Sequence, residues 1–387
     1  MKDRTSKARA NVFEEPFRIF FPTGAMLGAV GVSLWPFFYF GLTTQYPNVA
    51  HARLMIEGFM ASYIFGFLGT AGPRLTSTPS FSFGELMVLF TLDLLAAGLH
   101  LGGSDRAGDV AFTFCLLFFA GLLVRRFRLR QDSPPPNFVL VALGILSGIG
   151  GSAFAAWAET EQYSSIYRFG SALLNESFVL LPICGVAPFF IRRLLDLPTP
   201  NLPESRDFPA GWRSVAAFAG LTGLVIIFSF LLHVWNWPRT GACLRFVALA
   251  VYFATQLPFR GRSFLADCLR FGLLIIPLGF MVQAISPQNR LGALHIVFIM
   301  GFNFVTFTVA TRVVFGHSGN LARLDRRPWF FIIAGVLLFL AMIARFAADV
   351  TPSSRNPHLV SAAICWLVAA LIWGVTVLPK VGTVEPE

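Results

Sequence analysis

The chain has 387 residues, 55% hydrophobic and only 13% charged, with a mean hydropathy of +0.67. One core of this size cannot hide so much apolar surface from water, which excludes a soluble protein and makes the chain an integral membrane protein. The net charge of +10 is spread over short arginine groups with no long or aromatic-interleaved basic stretch. It points to lipid headgroups and topology, and no nucleic acid is expected as a partner.

Apolar stretches of roughly 17 to 25 residues, enough to cross about 30 Å of hydrocarbon as helix, fall at 18–43, 50–72, 84–101, 108–124, 137–157, 170–191, 212–234, 241–258, 264–284, 291–315, 328–349 and 358–378. The expected fold is all-α, a polytopic membrane helix bundle of about twelve transmembrane helices in a single domain, 1–387. The basic opening, 1–17, precedes an apolar stretch too long for a secretory signal and is expected as a segment before an uncleaved first span. Between spans there is no room for a soluble domain. The longest break is the Pro-rich connection at 192–212, which divides the spans six and six, a division shared by many transporters. Assigning Lys and Arg to alternate sides puts 22 of the 30 on the side of the N-terminus and 8 on the other, so both termini and the 192–212 connection are expected to be cytoplasmic.

In the second span, His51 is followed by Met55 four residues on, a nitrogen and a thioether on one helical face that suit a soft metal. Arg53 and Glu57 share the same spacing and can neutralise each other. His100 closes the third span, and Asp93 inside that span lacks a helical-neighbour cation, as does Glu176 in the sixth. Gly144, Gly148, Gly150 and Gly151 in the fifth span allow close helix approach. The tenth span opens near His295, carries Arg312 toward its other end and stops at Gly316-His317-Ser318-Gly319. Arg312 either snorkels or binds an anion, and the glycines around His317 fit a helix C-cap equally well. The depths assigned by this topology put His51, His100, His233, His295 and His358 toward the outer face and His317 alone toward the cytoplasm. Imidazole is the commonest ligand for haem iron and copper, and His51 and His295 match in depth. For these two, ligand and interfacial residue are both open on spacing; His100, His233 and His358 read as interfacial residues. The five cysteines show no CxxC spacing and read as apolar packing residues.

Three blocks carry a family resemblance. The tenth span, with His295, Thr311-Arg312 and Gly316-His317-Ser318-Gly319, resembles the hallmark helix of the NnrS family of bacterial membrane proteins. HARLMIEGFMASYIFGFLGTAGPRL, from His51 to Leu75, is similar to that family's second hallmark, and PFRIFF from Pro16 to Phe21 matches its opening. The chain departs from the pattern at Arg53 and Leu54, where the family often has a second His and a Glu, and at Leu75, where a Trp is usual.

The resemblance implies a haem- and copper-containing protein of the bacterial inner membrane, multi-pass, linked to nitric oxide response and denitrification. Carried over by position, it implies His51, His295 and His317 as cofactor-binding residues, with Arg312 and Arg74 in support. The metal-ligand set expected is His51, His295 and Met55, with haem b and copper as cofactors. Nitric oxide and other denitrification or respiratory membrane proteins are the partners implied. A different class stays open, a proton- or cation-coupled secondary transporter using Asp93, Glu176 and Arg312. An accessory role in another membrane complex also stays open. An oxidase-type catalytic subunit ranks low, because six histidines with no His-His pair fall short of its needs.

Overall fold

A computed structural model describes residues 15–158, 164–198, 205–324 and 327–383; residues 1–14 of the basic opening and 199–204 of the long connection lie outside them. The architecture is all-helical. Its twelve rods are α1 (Phe17–Tyr39), α2 (Asn48–Leu75), α3 (Phe83–Leu101), α4 (Asp105–Leu129), α5 (Pro136–Trp157), α6 (Ser165–Leu194), α7 (Trp212–Val234), α8 (Pro238–Gln256), α9 (Phe264–Ile285), α10 (Pro287–His317), α11 (Trp329–Val350) and α12 (Pro352–Lys380).

Among the described residues eleven rods are long and apolar enough to cross a membrane. The exception is α8, which covers the span expected at 241–258 but carries Arg239 and Arg245. Arg245 is buried between neighbours, donating to Ser229 and Gln283 at 3.2 Å each and lying over the rings of Phe230 and Phe280. A guanidinium held inside the bundle through both Nη atoms, with Nε left without a partner among the described residues, lets this rod be less apolar than one that faces lipid.

Starts are set locally. Ser82 and Glu85 form a reciprocal capping box on α3, and Ser164 and Ser263 accept from the backbone of Tyr167 and Ala266 to open α6 and α9. Rod contacts rest on small residues. Side chains at Gly144, Gly148 and Gly151 would collide with α6; at Gly151 an added Cβ would sit 2.6 Å from the Leu174 backbone nitrogen. Gly150 faces open space and makes no such approach.

Three rods are interrupted by π-helical turns: α2 at Leu54–Met60, α6 at Leu173–Ser177 and α10 at Ile296–Asn303. They recur every fourth rod, not every sixth as the division at 192–212 suggests. Each extra residue turns the rest of the rod by about 100° relative to an uninterrupted α-helix and so re-aims its side chains.

Near the start of α1, Arg18 reaches the carbonyls of Val381 and, at 3.1 Å, Thr383, so the two ends of the described chain meet at one end of the bundle. This end is called the terminal face below, and the other the opposite face.

Candidate functional site

The three interrupted rods surround a cavity of about 400 Å³ near the opposite face, within the range of cofactor and ligand sites. The first turn of α2 brings His51 to it, and the π segment that follows brings Met55 and Met60. From α10 come His295 and, one π segment later, Asn303; α6 contributes Asn175 and Glu176.

The two imidazoles are held alike. Nδ1 of His51 lies 2.9 Å from the carbonyl of Gly31 on α1, and Nδ1 of His295 lies 2.7 Å from the carbonyl of Leu291 one turn back. A carbonyl can only accept, so each Nδ1 carries the proton and each Nε2 keeps its lone pair. Among the described residues neither Nε2 has a hydrogen-bond partner. This is the arrangement of a metal-ligating histidine, with one nitrogen fixed by a carbonyl and the other open.

The cavity wall also contains polar atoms that the protein leaves unmatched. Asn303 is 1% exposed and, among the described residues, neither its amide oxygen nor its nitrogen is hydrogen-bonded. One oxygen of Glu176 is held by Arg290 at 2.8 Å; the other is buried without a partner. Such groups cost free energy unless a bound molecule meets them. Arg168 and Arg345 complete the polar wall, the latter paired with Asp349 at 2.9 Å.

Two residues here were misjudged or missed in the sequence. His233 reads there as interfacial, yet it lines the cavity and its Nδ1 has no partner among the described residues. Asn303 stands alone in GFNFVTFT, and one amide in an apolar run is the only trace it leaves.

The remaining predicted residues lie elsewhere. His317, Arg312 and Arg74 line a separate cavity of about 840 Å³ at the terminal face. His295 and His317 lie 22 positions apart, roughly 33 Å at helical rise, so they cannot share one metal. His317 also differs in kind: its Nδ1 meets the Val313 carbonyl at 2.8 Å, while its Nε2 lies 2.7 Å from Arg74 and 3.2 Å from Glu15. Both ring nitrogens are engaged. Glu15 also pairs with Arg18 at 3.0 Å and with Arg74. Burial raises the Glu15 carboxyl, but the His317 hydrogen bond and charge, then Arg74 and Arg18, outweigh it and hold the carboxyl below its usual range.

Beside the cavity near the opposite face lies a buried charge cluster. Arg53 does meet Glu57, at 3.3 Å, as the spacing predicts, but its closer partner is Asp109 of α4 at 2.6 Å. His100, expected at the interface, is fully buried, with Nε2 3.0 Å from Glu57 and Nδ1 3.0 Å from Asp105. Gly108 makes that possible, since an added Cβ would lie 2.5 Å from the ring. Glu57, His100 and Asp109 are close enough together to hold a metal ion. Arg53 supplies a positive charge to both carboxylates as an ion pair, while Oε1 of Glu57 and Oδ1 of Asp109 are buried without a hydrogen bond among the described residues. Asp93 takes a hydroxyl as its partner, Ser62 at 2.7 Å, with no cation within ion-pair distance among the described residues.

Between the two cavities lies a smaller apolar one, sharing Met60 with the first and Phe67 and Phe190 with the second. Glu176 lines the first and Arg312 the second, while Asp93 lines none of the three.

No curated protein matches the chain. Residues 11–383 match the family described as NnrS protein. A match across nearly the whole length, on a multi-pass helical bundle, places this chain in the NnrS family.

Proposed function

We propose that the cavity near the opposite face binds a metal-bearing cofactor, haem with copper as a further metal, ligated by Nε2 of His51 and His295. The observation that carries this reading is the matched pair of imidazoles, each fixed through Nδ1 by a carbonyl, each with Nε2 open, on rods separated by more than 200 residues of sequence. The donor set suits either metal. Two imidazoles are common axial ligands to haem iron, and imidazole with the Met55 thioether suits Cu(I). Arg168 and Arg345 are placed to meet acidic groups of a bound cofactor, and Asn303 offers an amide to whatever the metal carries.

Once bound, such a group supplies electron transfer and affinity for small gaseous ligands. The protein's own part is to hold the ring tautomers, neutralise acidic groups and keep a dry, shaped cavity. In this reading the protein serves nitric oxide response or denitrification. Nitric oxide is small and uncharged, and the apolar middle cavity between α2, α6 and α10 is a wall chemistry through which it can approach. The family points to the bacterial inner membrane, and the cation bias favours an orientation with the terminal face cytoplasmic and the cofactor toward the periplasm.

An optical spectrum of the full chain, purified in detergent after haem- and copper-replete expression, with metal analysis beside it, tests the reading. A Soret band with stoichiometric iron is expected. A colourless, metal-free preparation that is folded by thermal melting would sink it.

A further inference from the structure

The cavity at the terminal face is built around arginine. Four of them, Arg18, Arg74, Arg193 and Arg312, line it against two acids, Glu15 and Asp196. Glu15 is spent on Arg18, Arg74 and His317. Among the described residues Arg193 and Arg312 have no hydrogen-bond or ion-pair acceptor; Arg193 lies over the Phe189 ring, and Asp196 acts on Arg312 only from beyond ion-pair distance.

Arg312 has a prepared seat. It belongs to the last turns of α10, and a Cβ at Gly316, four residues on, would come within 2.7 Å of its Nη1. The glycine therefore leaves room for the guanidinium to lie along its own helix toward the cavity. The wall beside it is apolar, formed by Phe67, Phe189, Phe190 and Val313, and it continues through Phe67 and Phe190 into the middle cavity. Forked donors without an ion-pair acceptor among the described residues, next to an apolar slot at the end of a membrane bundle, match one ligand chemistry.

We propose that this cavity binds an amphiphilic oxyanion, its phosphate or carboxylate held by Arg312 and Arg193 and its apolar part lying along Phe67, Phe189 and Phe190. The site needs no cofactor at the opposite face, so it stands or falls independently of the metal reading. The oxyanion has two available sources, a phospholipid headgroup or a soluble phosphate, and the apolar slot favours the lipid.

The full chain is reconstituted in nanodiscs with and without phosphatidylglycerol, and retained lipid is counted by native mass spectrometry. In parallel, inorganic phosphate is titrated into phosphatidylcholine nanodiscs and the thermal midpoint followed. Phosphatidylglycerol retention that falls about tenfold in Arg193→Gln/Arg312→Gln, the size expected for losing a charge-assisted contact, supports the site with a lipid source. A phosphate-dependent rise in midpoint that the same variant abolishes supports it with a soluble source. Should the double variant fail to fold, Arg312→Gln and Arg193→Gln are read singly, and each is expected to lower retention several-fold. Binding that ignores these substitutions, or an equal loss in Arg125→Gln, an exposed arginine away from the cavity, overturns the proposal.

Discussion

His295 and His317 sit on the same rod, each with Nδ1 bonded to the carbonyl four residues back, and differ only in what meets Nε2. At His295 nothing among the described residues does, and the ring opens on a cavity it shares with His51. At His317 the nitrogen is taken by Arg74 and Glu15. Ligand competence thus depends less on the histidine, or on its local helical bond, than on whether a neighbouring rod brings an imidazole or an ion pair. Near the opposite face α2 brings His51; at the terminal face the same rod brings Arg74, and the segment leading into α1 brings Glu15.

The largest effect that can break this comparison is loss of the cofactor. His51→Ala and His295→Ala should each abolish iron binding and the Soret band, whereas His317→Ala should keep both; a spectrum lost in His317→Ala and retained in His295→Ala would reverse the assignment. Next in size is Arg53→Met. It leaves Glu57 and Asp109 buried without their cation, at a cost of about 3–5 kcal/mol, seen as a lower thermal midpoint. Adding Asp109→Asn should recover part of it.

A smaller change sharpens the role of the carbonyl that orients His51. A Cβ at Gly31 would stand 3.0 Å from Leu54 Cβ and 3.4 Å from Met55 Sδ. Gly31→Ala should therefore push α1 from α2 at a cost of about 1–3 kcal/mol and weaken metal retention near the opposite face, leaving the ion pairs of the terminal face intact. Metal titration against chelator reads the difference; unchanged retention would show that the Gly31 carbonyl is not what fixes the ring.

The smallest effect belongs to Glu15. Its folded-state pKa lies below the ordinary 4.5, so its contribution to stability is fully present above that value and is lost as pH falls through the folded-state value beneath it. Thermal melting of the wild type should show this acid limb, and Glu15→Gln should flatten it. An identical pH profile in the two proteins would mean that the carboxylate does not lock the terminal face.

Much of this was legible in the residues. Uninterrupted apolar length gave the rods, because a chain in hydrocarbon must satisfy its backbone within each helix. The four-residue spacing of Arg53 and Glu57 gave half of the buried cluster. The other half, Asp109 and His100, comes from rods that meet only after folding, and a lone His at a helix end has no local mark of burial. Arg245 stays hidden for a similar reason, since its partners Ser229 and Gln283 lie on two other rods. The π segments leave no signature either, because an inserted residue changes the direction of a side chain without changing composition.

By itself the sequence determined the membrane bundle, its family and the end of the bundle at which each histidine lies, since hydropathy and residue order are properties of the chain read end to end. Only the tertiary structure decided which depths face one another. The convergence of His51 and His295, the orphaned amide of Asn303 and the arginine-lined cavity of the terminal face all depend on rods placed side by side, where a partner's presence or absence is a matter of a few ångströms across space.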